Sequence, residues 1–422
     1  MRAQGMRASN LALVLERLPA GGASRAQVAA ATGLTRSSVS GIVRDLITAG
    51  FLREGGQVRD GVPGRPGTVV SLDRNHFAGL GLAFGVGTVS ACVVDLGHRV
   101  RVRHVRDLDN TRLTPVQVFE AIGELAAEAL QGARQSGLRL VGCALAAPGP
   151  VDDVRGVLRH APNLGWSDVG IRDLLVSCLA AHGFSANDAA TLPGLPAVEN
   201  EAQLAALGEL WFGDDRGLRD YVSVFGDVGI GGAIVINGDV FRGAAGLAGE
   251  LGHVVVDPAG APCGCGGRGC LETVAGLTAI SRRAGLAAAG ASVAAGGGGR
   301  GPLADLRRAL SELDPAALDA VGVAGSALGC ALASVVDVVD PRAVVIGGSL
   351  SSLEPWLAEV VGAAMSAHAM PRARPAPQLV WSRLGASAAV LGAAGLMVSR
   401  ALADPGPLVT ATASSASRTA AQ

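Results

Sequence analysis

Apolar residues in the first fifty positions recur with the period of a helix, and capping residues divide them into three helices. Ser9 and Asn10 are predicted to cap the first helix. Ser24 and Gln27 have the spacing of a capping box, which predicts a second helix over residues 25–31. Thr35 is predicted to cap a third helix. The apolar stripe of this third helix consists of Val39, Ile42, Val43, Leu46 and Ile47.

Two strand-like segments follow the helices. Residues 51–53 and 68–72 alternate between apolar and polar side chains, and the stretch between them is rich in glycine, proline and arginine. Helix, helix, tight turn, helix and hairpin is the order of a winged helix. We therefore expect residues 1–75 to form a winged helix-turn-helix domain, all-α with a β wing.

From residue 76 the pattern changes to apolar strands separated by alanine-rich helices, which predicts an α/β domain over residues 76–400. The strand-like runs are 78–84, 89–95, 139–146, 221–225, 233–236 and 343–346. The Gly/Ala-rich stretch 287–301 predicts a flexible loop, and 404–422 predicts a disordered tail. Residues 321–336 are apolar but shorter than the roughly 18 residues that a membrane span needs, and they predict a packed core helix.

Charge is distributed unevenly, although the formal net charge is only −1. Residues 1–75 contain ten arginines and five acids, whereas the remainder has a net charge of −6. A basic first domain is typical of one that meets a polyanion, although ordinary surface charge gives the same count. No N-terminal stretch has the order of a signal peptide, and seven cysteines fit a reducing compartment. We expect a cytoplasmic protein without membrane association.

The third helix presents arginine and small hydroxyl side chains away from its apolar stripe. Such side chains suit base edges and phosphates in a DNA major groove, and arginines of a wing can reach phosphates or a minor groove. The predicted DNA contacts are Arg36, Ser37, Ser38, Ser40 and Arg44 on the helix, and Arg59 and Arg65 in the wing. The alternative is a helix-turn-helix that serves dimerisation or structure.

Three cysteines and one histidine have the spacing of a metal site. His253, Cys263, Cys265 and Cys270 follow the pattern H-x9-C-x-C-x4-C, with glycines that let the backbone wrap a small ion. Three thiolates and one imidazole make a closed tetrahedral set, which predicts structural Zn²⁺ rather than a catalytic ion. The alternative is a set of free core thiols.

Several motifs of residues 78–400 resemble the ROK family of repressors, open reading frames and sugar kinases. They include 246–253 (Gly-Leu-Ala-Gly-Glu-Leu-Gly-His), the metal motif running into 271–273 (Leu-Glu-Thr), 148–152, 161–166 and 198–201. The resemblance implies a two-lobed, actin-like (ribonuclease H-like) sugar-kinase fold, with lobes at about 76–195 and 196–400. It also implies that sugar hydroxyls are held by Asn163, Asn200, Glu201, Glu250, His253 and Glu272. Convergent carboxylates and amides suit a polyol, although the same residues can be ordinary polar groups on the protein surface.

Three departures from the family's kinase motifs argue against phosphoryl transfer. Ala83 stands where the first phosphate loop has Asp, and Val228 stands where the second has Thr. Glu201 occupies the position of the catalytic Asp, and its extra methylene displaces the carboxylate by about 1 Å, enough to cost ~10²-fold in rate. We therefore predict that the chain is not an enzyme and has no catalytic residues.

The sequence favours a sugar-responsive transcriptional regulator, with repressor action on carbohydrate-metabolism genes inferred from the family. Its predicted partners are double-stranded operator DNA, a sugar or sugar phosphate effector, and copies of itself in a dimer or tetramer. Two alternatives stay open. One is an active ATP-dependent hexose kinase of the glucokinase or N-acetylglucosamine kinase type. The other is an effector-independent DNA-binding protein whose body only oligomerises.

Overall fold

The computed structural model describes residues 2–58, 67–184, 196–215, 217–286, 301–370 and 376–419. Arg59 and Arg65, predicted to contact DNA, lie outside these ranges, as do residues 287–300 of the predicted flexible loop.

Three helices begin the chain: α1 (Arg2–Glu16), α2 (Arg25–Thr32) and α3 (Arg36–Ala49). The predicted capping box of α2 is confirmed, because the Ser24 hydroxyl accepts from the Gln27 amide at 3.3 Å and the Gln27 side chain accepts from the Ser24 amide at 2.8 Å. Thr35 caps α3 by accepting from the Ser38 amide at 3.2 Å. The stripe of α3 faces the core as predicted, with Ile47 only partly buried.

The predicted start of α1 at Ser9 and Asn10 is wrong, because the helix already begins at Arg2. Ser9 lies inside α1 and its hydroxyl donates to the Gly5 carbonyl at 3.1 Å. A serine that bonds back to the preceding turn is compatible with a helix interior, so the side chain that suggested a cap has another partner.

A three-stranded sheet packs beside these helices. It contains β1 (Ala23–Ser24), β2 (Leu52–Val58) and β3 (Gly67–Leu72) in the order β1-β3-β2, and all pairs are antiparallel. Gly50, in the left-handed conformation with φ 89°, ends α3 and turns the chain into β2. The predicted hairpin is therefore present.

Two five-stranded sheets form the α/β part, and both have the same topology. Each begins with a three-stranded antiparallel meander whose first strand then pairs in parallel with a later strand, which is followed by one more parallel strand. The first sheet contains β4 (Phe77–Phe84), β5 (Thr88–Asp95), β6 (Val100–Asp107), β7 (Arg139–Ala147) and β11 (Ala197–Asn200). The second contains β12 (Tyr221–Gly226), β13 (Ile230–Ile236), β14 (Asp239–Phe241), β15 (Ala343–Gly348) and β16 (Gln378–Trp381).

A small sheet and, within the described residues, nine helices complete this part. The small sheet consists of β8 (Val151–Asp152), β9 (Val157–Ala161) and β10 (Trp166–Val169). The first helices are α4 (Pro115–Gln135), α5 (Ile171–Ala181), α6 (Glu201–Phe212) and α7 (Glu272–Ala275). The later ones are α8 (Leu277–Arg283), α9 (Pro302–Ser311), α10 (Pro315–Val339), α11 (Glu354–His368) and α12 (Ala388–Ala403).

Helix α12 is the central element, because it packs on α6, on β4 and β7 of the first sheet, and on α1. A Cβ added to Gly81 of β4 would lie 2.2 Å from the Val390 carbonyl oxygen, so only glycine allows this close approach. Val390, Ala394 and Val398 of α12 belong to the same buried cluster as Leu11 and Val14 of α1. The N-terminal helices and the α/β part thus share one apolar core.

The end of the chain differs from the predicted disordered tail. Helix α13 spans Gly406–Thr419 and contacts α1 and α3. Leu408 is only 2% exposed and joins the cluster of α1 and α12. Val409 packs against the same cluster, so two apolar side chains within a Ser/Ala/Thr-rich stretch give the helix a surface to pack on.

Within the described residues, two segments are long and apolar enough to span a membrane by length and composition alone, Pro315–Val339 and Gly385–Ala403. This is weak evidence, because core helices pass the same test and the most apolar windows of these two are 50% and 61% buried. In α10 the packing is close, since a Cβ on Gly329 would lie 2.6 Å from the Val361 carbonyl oxygen of α11. This agrees with the predicted core helix over 321–336.

Candidate binding pocket and metal centre

A pocket of about 330 Å³ lies where loops and helix starts from both five-stranded sheets meet. Its walls come from the turns after β7 and β12, the loop after β9, the start of α6, the segment around Glu250 and the start of α7. All six residues predicted to hold a sugar line it: Asn163, Asn200, Glu201, Glu250, His253 and Glu272. The structure brings these residues together, and their role as sugar ligands stays a prediction.

Asn200 has a structural task in addition to lining the pocket. Its Oδ1 caps α6 by accepting from the amides of Ala202 at 2.9 Å and Gln203 at 3.1 Å. Its Nδ2 donates to the Gly149 carbonyl at 2.9 Å. A side-chain amide has two N–H donors, so one donor of Asn200 is left for a ligand.

Glu250, His253 and Glu272 form a polar group on one wall. His253 Nε2 lies 3.8 Å from Glu250 Oε2, and His253 Nδ1 lies 3.7 Å from Glu272 Oε1. Burial raises the pKa of Glu250, and His253 partly opposes this rise. Gly229 lets Glu272 approach closely, because a Cβ at this position would lie 2.7 Å from Glu272 Oε2 and the carboxylate would have to shift.

Glu201 and Asp227 form a second acidic group. Glu201 is the first residue of α6, and burial together with the Asp227 charge raises the pKa of its carboxyl to about 8. Asp227 Oδ1 accepts from the buried Ser349 hydroxyl at 2.6 Å, and burial raises the pKa of Asp227 as well. Ser349 was not among the predicted site residues. Its position directly after Gly348, at the carboxyl end of parallel strand β15, could have indicated it.

His160 is a pocket residue that the sequence did not indicate. Its Nδ1 lies 3.2 Å from the Ser167 hydroxyl, and its Nε2 lies 3.3 Å from the Gly264 carbonyl oxygen. His160 therefore links β9 to the loop that carries the cysteines. A single histidine in a strand has no pattern that would have identified it.

The four predicted metal ligands converge. One donor atom from each of His253, Cys263, Cys265 and Cys270 lies within 4.8 Å of all the others. Sulfurs that share a tetrahedral ion at ~2.3 Å are about 3.8 Å apart. The Sγ atoms of Cys265 and Cys270 are 3.7 Å apart, and His253 Nδ1 is 3.7 Å from Cys263 Sγ. The donor set fits, so this group can hold a metal ion.

The loop around this group is shaped for a small ion. The Gly267 amide donates to Cys265 Sγ at 3.4 Å, and this hydrogen bond is the first reason that the pKa of Cys265 is lowered. Gly269 has φ 69°, and a Cβ there would lie 1.6 Å from the Asp257 carbonyl oxygen. The Cys263 thiol donates to Glu272 Oε1 at 2.9 Å, so the metal group and the pocket share a wall.

On α3, the side chains predicted to contact DNA form an exposed surface opposite the buried stripe. These side chains are Arg36, Ser37, Ser38, Ser40 and Arg44. The hydroxyls of Ser37 and Ser38 lie 3.0 Å and 2.9 Å from Thr35 Oγ1, so they cluster at the start of the helix. Contact with DNA stays a prediction for this surface.

Comparison with known proteins identifies relatives of the α/β part and of the whole chain. Residues 79–400 match the model of the ROK family. A glucokinase of Halalkalibacterium halodurans is 34% identical over 277 residues, which cover 64% of this chain and 79% of that protein. A putative xylose repressor of a Caldicellulosiruptor species is 28% identical over 401 residues, which cover 90% of this chain and 93% of that protein.

Among solved structures, a ROK family transcriptional regulator described as a homolog of the E. coli MLC protein is similar with a TM-score of 0.75 and 26% identity. The match covers 96% of this chain and 99% of that one. The predicted kinase-like α/β fold is thereby confirmed. The repressor and regulator matches extend into the first 78 residues, which lie outside the family region.

Proposed function

The chain belongs to the ROK family, and we propose that it is a sugar-responsive, DNA-binding transcriptional regulator of the repressor type. The observation that carries this proposal is the extent of the likeness. The putative xylose repressor matches 90% of the chain, whereas the glucokinase matches 64%. A unit shared with regulators, beyond the kinase-like part, is what separates the two functions.

In this proposal residues 1–75 are a winged helix-turn-helix domain, and residues 76–400 are a sugar-binding domain with lobes at about 76–195 and 196–400. Helix α3 is the recognition helix. Its exposed Arg36 and Arg44 would contact phosphates or base edges in the major groove, and Arg59 and Arg65 of the wing would reach the neighbouring backbone. The net charge of +5 on residues 1–75 supports this orientation toward DNA.

Sugar binding would use the acids and amides of the pocket. Carboxylates accept from hydroxyl groups, and an amide can donate and accept, so the six polar residues offer a convergent set of partners for a polyol. The proximity of His253 Nε2 to Glu250, with Nδ1 facing the cysteines, supports a double role for this imidazole. One nitrogen would bind the metal while the other faces the sugar.

The metal would be structural Zn²⁺, held by His253, Cys263, Cys265 and Cys270. Four protein donors leave no open position for a substrate, and thiolates with one imidazole are ligands that zinc prefers. Zinc would fix the ring of His253 and the loop after Cys263 against Glu272, which keeps this wall of the pocket in place.

The features of the nucleotide side oppose kinase activity. Ala83 and Val228 lack the side chains that the family's kinases use on their phosphate loops. Asp227 adds a carboxylate beside Glu201, at the place where a polyphosphate would approach. A base must also be ionised to take a proton, and the raised pKa of Glu201, about 8, leaves its carboxyl mostly protonated at neutral pH.

The second candidate function, an active ATP-dependent hexose kinase, is favoured by the 34% identity to a glucokinase. A coupled assay for ADP release with glucose, mannose and N-acetylglucosamine separates the two. We expect no sugar-dependent ATP turnover above background. Turnover at the rates common for enzymes, about 1 s⁻¹ or more, would establish the kinase instead.

The direct test of the regulator is a thermal-shift screen of pentoses, hexoses, N-acetylhexosamines and their phosphates. A ligand that binds only the folded chain must raise its melting temperature, so at least one sugar is expected to do so. If none does, the alternative hypothesis replaces this proposal, namely a DNA-binding protein that responds to no effector. We also propose a cytoplasmic homo-oligomer, a dimer or tetramer, because paired half-sites require paired recognition helices.

A further inference from the structure

The pocket combines four carboxyl groups with a lack of permanent positive charge. Its acids are Glu201, Asp227, Glu250 and Glu272. Among the described residues that line it, none is an arginine, and the chain contains no lysine anywhere. Of its two histidines, His253 faces the cysteines and two carboxyls, and His160 is engaged with Ser167 and Gly264.

We infer that this pocket takes a neutral, unphosphorylated sugar and rejects sugar phosphates. The inference rests on the proposed function and names its effector class. A neutral sugar brings hydroxyl donors, which carboxylates and amides accept. A phosphate dianion brings only acceptor oxygens and is normally held by arginine forks, lysine or clustered amides. In this pocket it would face like charges, which oppose binding when they are juxtaposed across an interface.

Glu201 and Asp227 are the carboxyl groups of the pocket that oppose a phosphate most directly. The Ser349 hydroxyl hydrogen-bonds Asp227 and so holds this carboxylate beside Glu201 and the turn before β13. When Glu201 is protonated it gains a hydrogen-bond donor, yet it supplies no positive charge. When Glu201 is protonated, discrimination against a phosphate therefore depends on the other acids of the pocket, and Asp227 is the nearest of them.

Isothermal titration calorimetry of the full chain with matched pairs tests this inference. The pairs are pentoses, hexoses and N-acetylhexosamines, each with its terminal phosphate ester. We expect the best neutral sugar to bind at least about 100-fold more tightly than its phosphate. A phosphate that binds more tightly than its parent sugar overturns the inference and leaves the proposed regulator standing. If no member binds, the proposed sugar response fails, and the inference fails with it.

Variants that replace one carboxyl by an amide test which acid causes the preference for the neutral sugar over its phosphate. Asp227→Asn should reduce the preference for the neutral sugar by about tenfold, because one repelling charge is lost while the shape is kept. Asp173→Asn makes the same change at an exposed position on α5 and should leave the preference unaltered. Glu201→Gln, compared with wild type above pH 8 where the Glu201 carboxyl is ionised, serves as the second variant if the first does not fold. An unaltered preference in the folded pocket variant contradicts the inference.

A second, independent observation concerns Glu199, the buried acid next to Asn200. It is 3% exposed and joins two arginines from distant parts of the chain. Its Oε2 lies 2.5 Å from Arg242 Nη2, and its Oε1 lies 2.9 Å from Arg400 Nη2. Arg242 also donates to Gln203 Oε1 at 2.8 Å, and Gln203 Nε2 donates to the Gly246 carbonyl at 3.1 Å.

These contacts connect the pocket with the helix beneath the N-terminal unit. Arg242 and Gly246 belong to the segment that leads to Glu250 in the pocket wall. Arg400 belongs to α12, which contacts α1. Glu199 itself directly precedes the pocket residues at the start of α6. One carboxylate thus holds the pocket segment and α12 together.

We propose that Glu199 is a positioning residue that couples sugar binding to the arrangement of the DNA-binding unit. A movement of the 242–250 segment on sugar binding changes the Arg242 contact, and the shared carboxylate transmits this change to Arg400 and α12. Coupling of this kind is a free energy between two sites, so it can be removed while each site keeps its own affinity. This proposal also rests on the proposed function.

The test compares the DNA affinity of the full chain with and without sugar in Arg400→Gln and Glu199→Gln. In the wild type the sugar must change DNA affinity, otherwise the proposed function has failed. We expect both variants to bind sugar and DNA separately within about threefold of wild type, and the effect of sugar on DNA affinity to fall at least fivefold. Arg383→Gln removes an arginine from the exposed pair with Asp214 and should respond as wild type does. A full response in Arg400→Gln overturns the proposal, also when Glu199→Gln does not fold.

Discussion

His253 faces two groups at once, and the metal centre and the pocket both depend on it. Its Nδ1 lies 3.7 Å from Cys263 Sγ, and its Nε2 lies 3.8 Å from Glu250 Oε2. A metal ion held by Nδ1 would fix the tautomer and the plane of the ring, and thereby the direction in which Nε2 points. Loss of the metal should therefore affect the sugar as well as the loop.

Cys270→Ser is expected to lower zinc content and to weaken sugar binding by at least about tenfold. Elemental analysis and calorimetry measure the two effects on the same preparation. Cys330→Ser is the matched control, because Cys330 is an exposed thiol on α10 far along the chain from the metal motif. Sugar affinity that survives complete zinc loss would separate the metal from the pocket.

Asn163 and Asn200 line the same pocket, but only Asn200 is seen to cap a helix. Asn200→Ala removes the cap of α6 and should reduce the free energy of unfolding by about 0.5–2 kcal/mol. Asn163→Ala should leave the melting temperature of the free chain unchanged and weaken sugar binding by about tenfold. Urea unfolding and calorimetry check both variants. Equal melting temperatures would show that the cap contributes little.

Glu201 gives a pH dependence whose sign follows from its raised pKa. The folded chain holds this proton up to pH about 8, whereas an unfolded glutamate loses it near pH 4.3. The stability contributed by proton binding is therefore present at low pH and is lost as the pH rises through the folded pKa. Glu201→Gln should gain melting temperature relative to wild type between pH 5 and pH 9.

Thermal unfolding across that range measures the difference between the two melting temperatures. Glu359→Gln, an exposed glutamate on α11, is the control and should keep a constant offset from wild type. A constant offset for Glu201→Gln as well would mean that Asp227 and burial do not act on this carboxyl.

At the scale of elements, the sequence predicted the helix caps and strands that depend on neighbouring residues. The caps at Ser24 and Thr35, the stripe of α3 and the long buried strands all follow from residues within one helical turn or one strand. Strand β6 was missed although valine and arginine alternate along it; it is an edge strand with many exposed side chains. Helix α13 was missed because its packing depends on Leu408 and Val409, and composition does not reveal these contacts.

Helix α3 is the element proposed to contact DNA. Arg44→Ala should weaken binding to the selected DNA by about 1–3 kcal/mol at fixed salt, because the side chain is exposed on the proposed recognition surface. Arg307→Ala removes the same charge from the exposed face of α9. It should leave the DNA affinity almost unchanged, because only the net charge of the chain differs. Equal affinities of both variants would remove α3 from the contact surface.

At the scale of the whole molecule, the sequence predicted residues that line the pocket but not their contacts with residues far along the chain. The family motifs named six residues, and the fold brings all six into one cavity. The partners that tune them come from far along the chain: Ser349 reaches Asp227 across 122 positions, and Arg400 reaches Glu199 across 201. No local pattern contains such pairs, because tertiary packing alone creates them.

The shared apolar core is the feature that makes one regulator out of two units. Side chains of α1 and α3 pack in the same cluster as α12, and α12 packs on α6, whose first residue lines the pocket. Packed cores tend to have discrete arrangements, so a shift at the pocket wall can change the orientation of the proposed recognition helix. In the proposed oligomer, a small rotation would then misplace paired helices on paired half-sites.

The most direct measurement is the affinity of the full chain for DNA that it has itself selected from a random duplex library, with and without the neutral sugar that stabilises it most. Fluorescence anisotropy at fixed salt gives both values. We predict sequence-selective binding that weakens by at least about fivefold when the sugar is present. A chain that selects no sequence, or whose DNA affinity no sugar changes, would contradict the proposed regulator.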